Sequence, residues 1–176
     1  MYRCIVADPP WLERGGGVIK RGADRHYSLM TTPSIEALLR DEILPQVADD
    51  AHLWLWVTNN YLPDGLRVID GLGFRYVTNL AWVKDSFGLG QYLRGQHELC
   101  LLAVRGAAMV PEVRDVPSIV RCAKARHSQK PQAAFDAIAR VSPGPRLEVF
   151  ARERRAGWDA WGNEVADTLL AREVPA

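Results

Sequence analysis

A chain of 176 residues is long enough for one domain with a substantial core and too short for two. Hydrophobic residues make up 48% and charged residues 24%, with a net charge of +1, which excludes a globally basic nucleic-acid binder and leaves any such contact to local patches. Charged and polar residues interrupt the N-terminal stretch and no apolar run could span a membrane, so neither a signal peptide nor a membrane partner is expected.

Taken in order, the chain alternates apolar runs with helical periodicity, as α/β proteins do. Strands are predicted over residues 2–7, 52–58, 76–83, 98–104 and 147–151. They are rich in Val, Ile, Leu and Trp, and several are apolar on both faces, as in a sheet covered on both sides. Thr32-Pro33-Ser34-Ile35-Glu36 is a cap-like helix start, followed by Leu38, Leu39 and Ile43. Leu66, Ile69 and Leu72 indicate a second helix that ends near Gly73. A third opens at Lys130-Pro131, carries Ala134, Phe135, Ile138 and Val141, and closes at Pro143-Gly144. No helix separates the third strand from the fourth, so that pair is expected to be antiparallel. The expectation is one α/β domain over residues 1–165, with a frayed or disordered tail at 166–176. Cys4, Cys100 and Cys122 lie far apart in apolar surroundings, which reads as reduced thiols in a cytoplasmic protein.

Three segments form no predicted element: residues 12–31, 85–97 and 106–128. The first holds Lys20, Arg21, Arg25, His26 and Tyr27. The second holds Tyr92 and Arg94, and the third Arg121, Lys124, Arg126 and His127. Loops this long in a compact domain are usually functional or disordered. Their positive charge and aromatics suit a nucleic-acid surface. Taken one at a time, they also fit solvated loops with no specific task.

The most informative residues are Asp8-Pro9-Pro10-Trp11, placed where the first strand ends. Chemistry in α/β enzymes sits at the carboxyl ends of strands. A carboxylate accepts from an amino N–H, a Pro-Pro step offers carbonyls without competing donors, and an indole offers a flat face for stacking. Together they suit a planar, amino-bearing base. The alternative is a strand running into a rigid turn with Trp11 tucked into the core. Gly15-Gly16-Gly17 is not a phosphate loop, since no Gly-Lys-Ser/Thr follows. His97 and Cys100 lack a second ligand pair, so no metal is expected. His127-Ser128-Gln129-Lys130-Pro131 puts a lysine at a helix start, where an anion would meet both the ammonium and the helix N-terminus.

Those residues belong to an ordered set. It continues through Trp54-Leu55-Trp56-Val57-Thr58, Trp82-Val83-Lys84, His97-Glu98-Leu99-Cys100, Leu147-Glu148-Val149-Phe150-Ala151-Arg152 and Gly157-Trp158-Asp159-Ala160-Trp161-Gly162-Asn163-Glu164. The set resembles the METTL-type adenine methyltransferases, the MT-A seventy family, most closely its short bacterial and phage members. The resemblance covers roughly residues 2–165.

It implies a Rossmann-like methyltransferase fold, mostly parallel with one antiparallel strand pair and helices on both faces. It also implies S-adenosyl-L-methionine as cofactor and methyl transfer to the 6-amino group of adenine in nucleic acid, DNA before RNA. Asp8, Pro9, Pro10 and Trp11 match the catalytic motif. Lys130 matches the lysine that contacts the cofactor's carboxylate, with Asp8 alongside, and Arg152, Asn163 and Glu164 match positions around its ribose and adenine. Tyr27 matches an aromatic near the substrate, and Trp11, Lys20, Arg21, Arg25 and Lys84 complete the expected substrate set. Two departures stand out. The segment that touches the cofactor adenine in longer relatives has no counterpart before Asp8, and Glu153, Arg154 and Arg155 differ from those relatives. The resemblance leaves open a homodimer or a heterodimer, and the alternative of a catalytically inactive nucleic-acid-binding partner subunit.

Overall fold

The structure is a computed structural model that describes residues 1–12, 29–88, 90, 92–107, 111, 113–123, 129–162 and 165. The expected tail at 166–176 lies outside the described residues, as does most of the loop after the Pro-Pro step. Among the described residues, seven strands form one sheet: β1 (Tyr2–Ala7), β2 (Val47–Val57), β3 (Arg75–Val83), β4 (His97–Arg105), β5 (Ile119–Arg121), β6 (Arg146–Val149) and β7 (Asp159–Trp161). Their order across the sheet is β5-β3-β4-β2-β1-β6-β7. Pairing is parallel for β1 with β2 and β6, for β6 with β7, and for β3 with β5. The expected β3–β4 antiparallel pair is present, and β4 also runs against β2. One reversed strand therefore sits inside an otherwise parallel sheet. The carboxyl ends of β1, β2, β3 and β6 and the start of β4 share one edge.

Alternation along each strand divides the core in two. Ile5, Ala7, Leu53, Leu55, Val57, Leu101 and Val149 face α1 (Thr32–Leu38) and α2 (Leu62–Gly71). Cys4, Val6, Trp54, Trp56, Leu80, Trp82, Cys100 and Leu102 face α3 (Gln132–Val141) through Ala134, Phe135 and Ile138. β1 and β2 are covered on both faces, which is why their central residues lack a polar side, whereas the first four residues of β3 are exposed.

The helix ends follow their sequence signals, with shifts. Thr31, not Thr32, caps α1 by accepting from the Ser34 N–H at 3.3 Å. Glu36 is then two positions too far along for a capping box, whose place Ser34 holds, and pairs with Arg40 instead. Gly73, at φ +74°, ends α2: its N–H reaches Asp70 O at 2.9 Å and Phe74 N–H reaches Ile69 O at 3.0 Å, a Schellman closure that glycine makes easily. Of the expected stripe, Ile69 and Leu72 are buried, but Leu66 is 39% exposed, and Gly65 and Val68 complete the buried face of α2. A Cβ at Gly65 would stand 2.5 Å from Val57 Cγ1, which shows how closely α2 lies on β2. The two short edge strands, β5 and β7, went unpredicted, because three residues carry no readable period. Among the described residues, no helix is long and apolar enough to cross a membrane.

Candidate active site

Asp8 follows β1 directly. Two positions beyond Val6, it lies on the α3 side of the sheet. Lys130 arrives on that side from the residues before α3, whose N-cap is Pro131. The Lys130 ammonium donates to Asp8 Oδ2 at 2.6 Å and stands 3.4 Å from Glu98 Oε2. It also lies 5.3 Å from the centre of the Trp56 ring. Glu98, on β4 opposite Trp82, accepts from Lys84 Nζ, and Lys84 in turn lies 4.6 Å from the centre of the Trp82 ring. The four groups alternate in sign: Lys84, Glu98, Lys130, Asp8. Lys130 is 8% exposed, whereas the Asp8 side chain keeps 25% of its surface open. A buried ammonium needs such partners, since an unpaired charge in a dry site is costly.

Electrostatics follow from that placement. Burial pushes the Asp8 carboxyl above its usual range, and the nearby Glu98 pushes it further. Lys130 and Arg152 oppose this without cancelling it. Burial also penalises ionised Glu98, but Lys130 and Lys84 outweigh it and hold its carboxyl below the ordinary value. Desolvation disfavours the Lys130 ammonium, yet its two carboxylates raise its pKa overall. The cluster therefore holds a firm cation and a carboxylate with raised basicity.

A second cluster adjoins the first. Glu148 on β6 is in register with Val6, one strand over. It accepts from Arg155 Nε at 3.1 Å, and Arg155 also donates to Gln132 Oε1 at 2.6 Å. The Arg155 guanidinium lies 4.0 Å from the Phe135 ring centre and pairs with Glu153 at 2.9 Å. Burial lifts Glu148 to about 7, against the pull of Arg155. Arg155 thus ties the segment after β6 to the first turn of α3. Neither Glu148 nor Glu98 was singled out from the sequence. The available signal was an acid inside an apolar strand, a residue type almost never buried without a partner.

The Pro-Pro step is folded back on itself. Pro9 O accepts from Trp11 N–H at 2.9 Å and Pro10 O from Met30 N–H at 2.8 Å. Each carbonyl keeps a second lone pair. Trp11 is 8% exposed, donates from Nε1 to Trp56 O at 3.0 Å and stacks on Tyr61 at 5.1 Å. Its ring is thus core-packed on the α1 and α2 side, as in the alternative reading of the motif. Of the expected site residues, Asp8, Lys84 and Lys130 come together in one network, and Arg152 lies within electrostatic reach of Asp8. Lys84 serves Glu98 there, its side chain only 13% exposed. Lys20, Arg21, Arg25, Tyr27, Asn163 and Glu164 lie outside the described residues. His97 is exposed and Cys100 fully buried, as three positions along a strand require.

The donor set fits S-adenosylmethionine. Its amino-acid head carries one carboxylate and one ammonium, and its sulfur is cationic. Here a buried ammonium stands between two carboxylates at the strand ends.

A mostly parallel sheet, helix-covered on both faces and charged at its carboxyl edge, is a Rossmann-like methyltransferase fold. The MT-A70 family model matches residues 2–164, and the chain belongs to that family. Type II methyltransferase M.MunI of Mycoplasma sp is 30% identical over 99% of this chain and 81% of its own length. The N6-methyladenosine RNA methyltransferase MTA1 of Pyricularia oryzae is 32% identical over 93% of this chain and 47% of its own. The human N(6)-adenosine-methyltransferase catalytic subunit METTL3 is 27% identical over 93% of this chain and 28% of its own. The chain thus spans most of the Mycoplasma relative and less than half of the fungal and human ones.

Proposed function

We propose that this chain is an S-adenosylmethionine-dependent methyltransferase acting on the 6-amino group of adenine in nucleic acid, with DNA the first substrate to test. The observation that carries this is the Asp8 carboxylate, partly open at the carboxyl end of β1 and held by a buried lysine. DNA comes first because this chain spans 81% of the type II methyltransferase it resembles and less than half of the fungal and human adenosine methyltransferases.

An adenine amino group is a poor nucleophile, because its lone pair is delocalised into the ring. Asp8 accepts one amino N–H, and the second lone pair of Pro9 O is available for the other. Both bonds favour the pyramidal, nucleophilic nitrogen. The transfer would form the N–C bond as the methyl–sulfur bond breaks to leave a neutral thioether, and Asp8 takes the proton that the methylated nitrogen sheds, a task its raised basicity suits. The cofactor supplies a methyl group already activated by a sulfonium charge, so the protein contributes orientation and electrostatics. Lys130 holds its carboxylate, while Arg152, Asn163 and Glu164 serve its ribose and adenine. Tyr27 and the cations Lys20, Arg21 and Arg25 meet the nucleic acid, while Trp11, packed on Tyr61 and bonded to Trp56 O, anchors the motif to the core. In a duplex the base must leave the stack at a cost of a few kcal/mol, which single strands avoid.

The test is incubation with labelled S-adenosylmethionine and matched DNA and RNA pools, followed by nucleoside analysis. Label in 6-methyladenine supports the reading; label in cytosine, or none with either pool, overturns it.

A further inference from the structure

The Lys130 ammonium has three N–H donors. Asp8 takes one at 2.6 Å, and Glu98 stands on another side at 3.4 Å. Glu98 divides its carboxylate between two lysines: Lys84 meets Oε1 and Lys130 stands nearer Oε2. Nothing in the proposed methyl transfer uses Glu98. Yet its side chain is only 19% exposed, which is costly for a carboxylate without a task.

We propose that Glu98 is a positioning residue: it shares the Lys130 ammonium with Asp8, so that the 2.6 Å contact is not an exclusive ion pair, and leaves the third N–H for a ligand carboxylate. The last clause rests on the function proposed above; the sharing itself does not. A carboxylate locked onto a lysine is a weak acceptor for an incoming amino N–H and a weak base afterwards. A lysine that meets two carboxylates divides its attraction, so each keeps acceptor capacity. Arg152 also bears on Asp8, while Asp8 bears on Glu148, so Glu98 is one of several charges around this carboxylate. It bears on Asp8 directly and also through Lys130, the ammonium the two carboxylates share.

Carbon NMR of the Asp8 carboxyl in the ligand-free protein tests the sharing without catalysis. Glu98→Gln removes a negative neighbour and gives Lys130 wholly to Asp8, so the Asp8 midpoint should fall by about one pH unit. Lys84→Met should move it the other way, since the site loses a positive charge. In turnover, Glu98→Gln should lower kcat about tenfold, the loss that about 1.4 kcal/mol of transition-state stabilisation gives. KM for S-adenosylmethionine should change far less, and Glu98→Asp should recover part of kcat. An unmoved Asp8 titration in folded Glu98→Gln would overturn the inference. If that variant does not fold, an unmoved titration in Lys84→Met overturns it equally. Wild-type protein that titrates as described but methylates nothing leaves Glu98 its place and removes the proposed function.

Discussion

Lys130 Nζ stands 2.6 Å from Asp8 Oδ2, although 122 positions separate the two residues. The contact joins the end of β1 to the entry of α3. Lys130, the more deeply buried of the two, would not tolerate this depth without carboxylate partners, since a buried charge left unpaired is strongly destabilising. The fold thus spends stability on holding one carboxylate where a base can reach it.

Asp8→Asn keeps the shape and removes the charge. Methyl transfer should fall about 10²–10⁴-fold, the range for losing a positioned proton acceptor. The protein should remain folded, because Lys130 keeps Glu98 as a partner. Turnover and circular dichroism check both halves. Wild-type-like turnover by the folded variant would remove Asp8 from the mechanism.

Trp11→Ala should cost about 3–5 kcal/mol of stability, the usual range for deleting a buried aromatic. Trp11→Phe keeps the stack on Tyr61 and loses the bond to Trp56 O, so about 1 kcal/mol is expected. Thermal melts separate the two. A Trp11→Ala variant that melts like wild type but no longer holds the target base would return the indole to a stacking role.

Trp11 also marks how far the sequence was legible. Its motif located the site, because Asp-Pro-Pro-Trp ends a clear apolar run. The direction of its ring was open, since that depends on Tyr61 and Trp56, far away in the chain. The long strands were readable from uninterrupted apolar runs, and Gly73 announced the end of α2. Tertiary context decided the rest: the edge strands β5 and β7 exist only because β3 and β6 offer an edge to pair with. Within the site, Asp8 and Lys130 stood out, as they flank proline signals. Glu98 and Glu148 sit inside strands, and only the spatial pairing of β4 and β6 with their neighbours shows which cations meet them.

Lys130→Met keeps the apolar stem and removes the ammonium. Asp8 and Glu98 would then face each other with no cation between them. Stability should fall by about 3–5 kcal/mol, as for breaking a buried pair. The dissociation constant for S-adenosylmethionine should rise by the equivalent of about 1.5–3 kcal/mol, the worth of a hydrogen bond to a charged group. Calorimetry on the folded variant decides: an unchanged dissociation constant would detach Lys130 from the cofactor.

Glu148 gives the fold a pH dependence. Its pKa is lifted by burial from 4.5 to about 7, above its value in the unfolded chain. Between those values the native protein still binds a proton that the unfolded chain has released. Stability from this group is therefore fully present below the unfolded value and is lost as pH rises through the folded one. Asp8, raised for the same reason, contributes with the same sign, so wild type alone does not isolate Glu148. Glu148→Gln does: it mimics the neutral form and keeps an oxygen for Arg155 Nε. Its melting temperature should match wild type near about pH 5 and exceed it near about pH 8, where wild type must bury the ionised carboxylate. Melting curves at both values check this. A variant less stable than wild type at the higher pH would mean that the Arg155 ion pair outweighs the cost of burial, and that Glu148 is ionised in the native protein throughout.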